Sequence, residues 1–112
     1  MEKRIDTIIE TAIKALEDKK AENVVTLNIS RLTTVADYFI IATGNNPNQM
    51  LALSDAVTDA LAAVGINCRA VEGYNGASWI LIDYQDVVIH IFDRDSRSFY
   101  NLEHIWKGAE VL

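Results

Sequence analysis

A single cysteine, Cys68, is too few for an intramolecular disulfide or for a zinc motif built on cysteine pairs, and it fits a reducing compartment. Basic residues are also in deficit. Ten Lys and Arg stand against 16 Asp and Glu, and the net charge of -6 has the wrong sign for gripping a phosphate backbone by counterion release. Direct nucleic-acid binding is therefore disfavoured. No apolar run approaches the roughly 20 residues that cross a bilayer, and Met1-Glu2-Lys3-Arg4-Ile5-Asp6 alternates charge where a signal peptide needs an apolar stretch. A cytoplasmic protein without membrane contact is the expectation. Repeats, linkers and low-complexity segments are missing too, so the 112 residues read as one domain, 1–112. What is present is a 50% hydrophobic content. A chain this long should bury roughly two-thirds of its unfolded surface, enough for a core without metals or disulfides.

Ile5, Ile8, Ile9, Ala12, Ile13 and Leu16 recur at spacings of three and four, which predicts a helix over about residues 3–19. Val25, Leu27 and Ile29 alternate with Thr26 and Asn28, the period of a strand. After a polar connection, Tyr38–Thr43 is a short, nearly continuous apolar run that suits a central strand. Asn46 and Pro47 suit the cap and first position of a second helix, with Met50, Leu53, Val57, Ala60, Leu61 and Val64 on its stripe and Gly65 at its end. Three further strands follow: Ile66–Val71, then Trp79–Asp83 after a turn with an Asn75-Gly76 pair, then Val87–Phe92. The polar stretch Asp93–Arg97 then leads to a helical-looking end built from Phe99, Tyr100, Leu102, Ile105 and Trp106. The order implies an α/β fold: one mixed five-stranded sheet with two main helices. If both helices cover one face, the apolar residues of the last two strands stay open on the other, as on a partner surface.

The candidates for chemistry are thin. Asp83 and Asp86 flank a strand turn and could hold magnesium, but they lack a third acid and a phosphate cradle, since Gly44-Asn45-Asn46-Pro47 has one glycine and no lysine. Solvation of the turn is the plainer role. His90, inside an apolar strand, could be a general base or could satisfy one core hydrogen bond, and the second is favoured. Cys68 sits in no recognisable nucleophile signature, and Glu103 and His104, as neighbours, do not face each other on a helix. No cofactor is expected. The aromatics say more. Trp79, Tyr84, Tyr100 and Trp106 fall in the last third with Asp83, Asp86 and Glu103, the mixture that interfaces concentrate at their energetic centre. Trp79 shares a strand face with Leu81 and Asp83, and a buried face would not comfortably take the aspartate.

Several motifs together resemble a known family: Ala36–Gly44, Glu72-Gly73-Tyr74, Trp79–Tyr84, Asp86–Phe92 and Phe99–Glu103, with Leu16–Ala21 at the end of the first helix. In this the chain resembles the ribosomal silencing factor family, also called Iojap or RsfS, over nearly its whole length. The resemblance implies a nucleotidyltransferase-like fold without catalytic residues. It also implies binding to the large ribosomal subunit through its ribosomal protein L fourteen, which obstructs joining of the small subunit and represses translation when nutrients are short. Contacts would then fall on Trp79, Leu81, Asp83, Tyr84, Tyr100, Asn101, Leu102 and Glu103, with Trp79 and Tyr100 as anchors and Asp83 and Glu103 selecting Lys or Arg. Asn45-Asn46-Pro47-Asn48 departs from the Ser- and Arg-containing loop of the family. A basic ribosomal protein as the point of contact agrees with the acidic charge. Two alternatives stay open: a metal-dependent nucleotidyltransferase-like enzyme using Asp83 and Asp86, and a homodimer formed through the open face when no ribosome is present.

Overall fold

A computed structural model describes residues 3–76 and 78–112. The apolar stripe of the first helix, α1 (Lys3–Asp18), turns Ile5, Ile8, Ala12 and Leu16 into the core. Left-handed backbone at Lys20 then ends the helical run and sends the chain into β1 (Glu22–Asn28). β2 (Tyr38–Thr43) leads to α2 (Pro47–Ala63), which starts as its sequence dictates: the Asn46 side chain accepts a hydrogen bond from the Gln49 N–H at 2.7 Å, and Pro47 takes the first position, where no N–H is needed. The Gln49 side chain in turn donates to the carbonyls of Lys19 and Lys20, both at 3.1 Å, tying the start of α2 to the end of α1. Both helices lie on one face of the sheet, over Ile40, Ala42, Ile80, Ile82, Ile89 and Ile91.

After α2 come β3 (Ala70–Glu72), β4 (Trp79–Asp83), β5 (Val87–Phe92), α3 (Arg94–Tyr100), α4 (Leu102–Ile105) and β6 (Glu110–Val111). The sheet has six strands in the order β3-β4-β5-β2-β1-β6, rather than five. The extra strand is a two-residue edge piece, Leu27 and Asn28 opposite Val111 and Glu110. β2 and β5 pair in parallel from Tyr38↔Val87 to Thr43↔Phe92, and every other neighbouring pair is antiparallel. β3 consequently runs in the direction of β2, as the crossover through α2 requires, but lies at the far edge with β4 and β5 between them.

The second face is covered more fully than the sequence led us to expect. Val88, His90 and Phe92 of β5 are buried there with Leu27, Ile29, Phe39, Ile41 and Leu102, and Trp106 and Ala109 pack against them. The cover is the C-terminal segment. The supposed connection Asp93–Arg97 is mostly helix: the Asp93 carboxylate accepts the Ser96 N–H at 2.7 Å and caps α3. Asn101, with φ of 46°, closes α3 and opens α4. Arg97 pins the segment down, donating to Thr43 Oγ1 at the end of β2 (2.8 Å) and to the Glu103 carboxylate (2.7 Å). Along β4 this face remains partly open.

Candidate functional site

Strand β4 sorts its residues by parity. Ile80 and Ile82 point under the helices and are fully buried, while Trp79, Leu81 and Asp83 point the other way and are half-buried. Because Trp79 pairs with Phe92 across the β4–β5 ladder, the two rings lie 5.0 Å apart. Tyr100, at the end of α3, packs at a tilt against Trp79 with ring centres 4.6 Å apart and lies 6.0 Å from Phe92, and Phe99 meets Tyr100 edge to face at 5.1 Å. The result is an aromatic ridge, with Tyr100 at 40% and Phe99 at 81% exposure, beside a shallow cleft of about 240 Å³ formed by Glu72, Gly73, Trp79 and Leu81. Beneath the ridge, the Trp79 indole N–H donates to Nδ1 of His90 at 3.1 Å.

The expected contact residues divide. Trp79, Leu81 and Tyr100 belong to the ridge and its cleft, with Asp83 further along β4. Asn101 and Glu103 instead border a separate, polar cleft with Asn23, Val25, Arg97 and Ser98. Leu102 is buried in the core of the second face and supports the surface from below. Tyr84 does not join them: it is 1% exposed, under the helices with Ile80 and Ile82, because its position in the strand alternation matches theirs. A phenol in that place cannot touch a partner. Phe99, the most exposed aromatic, also lies on the ridge although it was not among the expected contacts; its place beside Tyr100 at the end of the chain's last apolar pattern was a usable signal.

The two acidic selectors carry cations of their own. Asp83 Oδ2 receives Arg69 Nη2 at 2.8 Å and Nε at 3.2 Å, while Oδ1 accepts the Gln85 N–H at 2.7 Å. Partial burial opposes ionisation there, but Arg69 and the Gln85 N–H outweigh it and hold the carboxyl below its ordinary range. Glu103 is in the same position, opposed by burial and held low by Arg97. Each carboxylate is already paired with an arginine of its own chain. Asp86 lies 3.5 Å from Arg4 across the surface, and among the described residues no three His, Cys, Asp or Glu side chains converge as metal ligands. An apolar groove of about 490 Å³ runs between α1 and α2, but it is on the helix side and none of the expected contacts lines it.

A half-open aromatic ridge on a sheet has the chemistry of a docking surface. The comparisons with known proteins supply the family. A family model described as "Ribosomal silencing factor during starvation" matches residues 2–112. The chain is 41% identical over 105 residues to the ribosomal silencing factor RsfS of Halalkalibacterium halodurans, covering 94% of this chain and 90% of that protein. The corresponding protein of Bacillus subtilis strain 168 is 40% identical over 105 residues, covering 94% and 89%. An X-ray crystal structure of a Chromobacterium violaceum protein superposes with a TM-score of 0.90 at 36% identity, covering 96% of this chain and 88% of that one. The chain belongs to the ribosomal silencing factor family.

Proposed function

We propose that this protein binds the large ribosomal subunit through ribosomal protein L fourteen, using the surface around Trp79 and Tyr100, and so blocks joining of the small subunit and represses translation. The observation that carries this reading is the half-buried Trp79, packed in a triangle of rings with Phe92 and Tyr100 on the side of the sheet away from both long helices. An acidic chain with a net charge of -6 reaches a ribosome more readily through a basic ribosomal protein than through RNA. The name of the matching family supports nutrient shortage as the setting. A domain of 12.5 kDa fixed where two large surfaces must meet obstructs them by occupancy alone, with no cofactor and no reaction. On this reading the protein works in the cytoplasm on a nucleotidyltransferase-like frame that has lost its catalytic groups. Off the ribosome the same apolar surface pairs two copies of the chain.

The test is sedimentation of purified large and small subunits with and without the protein. Co-migration with the large subunit and a lowered yield of joined ribosomes are expected. Trp79→Ala should weaken binding by about 2 kcal/mol or more, roughly thirtyfold in Kd, as truncation of a central anchor does. A folded Trp79→Ala protein that binds as tightly as wild type would refute the assigned surface. Binding without any effect on joining would refute the blocking step.

A further inference from the structure

His90 is a costly choice for its position. It is 4% exposed in the middle of β5, packed against the rings of Phe39, Trp79 and Phe92. Since Nδ1 accepts the Trp79 indole N–H, the neutral imidazole must carry its own hydrogen on Nε2. That N–H is buried, and no acceptor among the described residues reaches it. An apolar side chain of similar size would fill the space without such an orphan, which ordinarily destabilises a fold. The histidine therefore offers the core little, and its one bonded contact goes to the residue at the centre of the ridge. Burial pushes its pKa down to about 4, so the Nδ1 lone pair is available at neutral pH.

We propose that His90 is a positioning residue for the docking surface: its Nδ1 holds the edge of the Trp79 indole inward, so that the ring stays packed against Phe92 and Tyr100 and meets a partner in one fixed orientation. Without that acceptor the partly buried indole N–H would have no protein partner, and the ring would swing to bring it to water. The stack would open, and ordering the ring again on binding would cost affinity. This inference rests on the reading of Trp79 as an anchor.

Two substitutions in the full chain test it. His90→Leu keeps apolar bulk and removes the acceptor. His90→Asn retains one, because the asparagine Oδ1, like Nδ1, is bonded to Cγ. The readouts are the melting temperature, the NMR signal of the Trp79 indole N–H (assigned by its loss in Trp79→Phe), and Kd for large subunits. His90→Leu should melt no lower than wild type, show a Trp79 signal moved towards that of a water-exposed indole, and bind about fivefold more weakly, the scale of one net hydrogen bond. His90→Asn should restore the signal and most of the affinity. An unmoved indole signal or unchanged affinity in His90→Leu would overturn the proposal, and so would an Asn variant no better than Leu. If His90→Leu does not fold, His90→Asn decides alone: a wild-type indole signal upholds the lock, and a water-exposed one refutes it. If the wild-type protein fails to bind large subunits, the ribosomal reading falls while the indole signal still reports on the lock itself.

Discussion

Gly73 and Gly65 both adopt left-handed backbone, with φ of 77° and 83°. A side chain would meet different surroundings at the two positions. At Gly65, just beyond α2, an added Cβ finds no heavy atom within 4 Å, whereas at Gly73 it collides with the carbonyl oxygen of Trp79. The left-handed conformation disfavours alanine by about 1–2 kcal/mol, partly offset by the unfolded-state entropy that alanine removes. Gly65→Ala should therefore lose about 1 kcal/mol. Gly73→Ala carries the same strain plus the collision, and no rotamer change relieves it. The oxygen belongs to the backbone of the first residue of β4, which is held in register opposite Phe92. Overpacking of this kind costs about 1–3 kcal/mol, so a total near 3 kcal/mol is expected. Urea unfolding of the two variants measures the difference, with equal slopes confirming that stability alone has changed. Since the displaced atom is part of Trp79, Gly73→Ala should also weaken binding to large subunits, and Gly65→Ala should not. Equal losses for the two variants would show that the turn at Gly73 relaxes freely, and would refute the claim that this turn sets the position of Trp79.

Tyr84→Phe removes a buried hydroxyl that has no partner among the described residues, so it should leave stability unchanged or raise it by about 1 kcal/mol in urea unfolding, and should leave large-subunit binding untouched; a loss above about 1 kcal/mol would show that the hydroxyl is bonded after all. Acidification should lower stability in two stages. The folded pKa of His90 is depressed from 6.5 to about 4, so the unfolded chain takes up the proton first and stability falls as pH drops from about 6.5 towards 4. Asp83 and Glu103, also held low, add their losses only below the ordinary carboxylate range. Urea titrations between pH 7 and 3 should find the upper stage missing in His90→Leu, and its persistence there would assign it to another group.

The parts of the fold that could be read from sequence were those fixed by local periodicity. β2, β4 and β5 fall where their apolar runs place them, and α2 begins at its Asn46 cap and Pro47. β6 was not legible because two residues have no period, and its pairing depends on a partner far back in the chain. The start of α3, read as a polar connection up to Arg97, was missed for a related reason: the helix buries no residue, so it has no stripe, and its signal was the capping pair of Asp93 and Ser96. The misplacement of Tyr84 was avoidable. Strand parity sets residues 80, 82 and 84 on one face and residues 79, 81 and 83 on the other, so Tyr84 could not share a surface with Trp79. The pairing of Asp83 with Arg69 and of Glu103 with Arg97 depends on side chains brought together by the tertiary fold, which no spacing rule reports.

Those ion pairs change how the charge of the protein can act. Asp83 and Glu103 already hold Arg69 and Arg97, so each pair attracts a basic partner less strongly than a lone carboxylate would. On the proposed function, direct recognition falls mainly to the aromatic ridge, whose contribution is burial and shape and depends little on salt. The excess of acid over base acts at longer range. It is a field that favours encounter with a basic surface and disfavours RNA, and it is screened over roughly 8 Å at physiological ionic strength. Charge on this view chooses the kind of surface approached, and the ridge decides whether the protein stays. A repressor that works by occupancy, as proposed, needs the second property most, which is where a Tyr100 packed against Trp79 and a buried histidine behind the tryptophan would have their use.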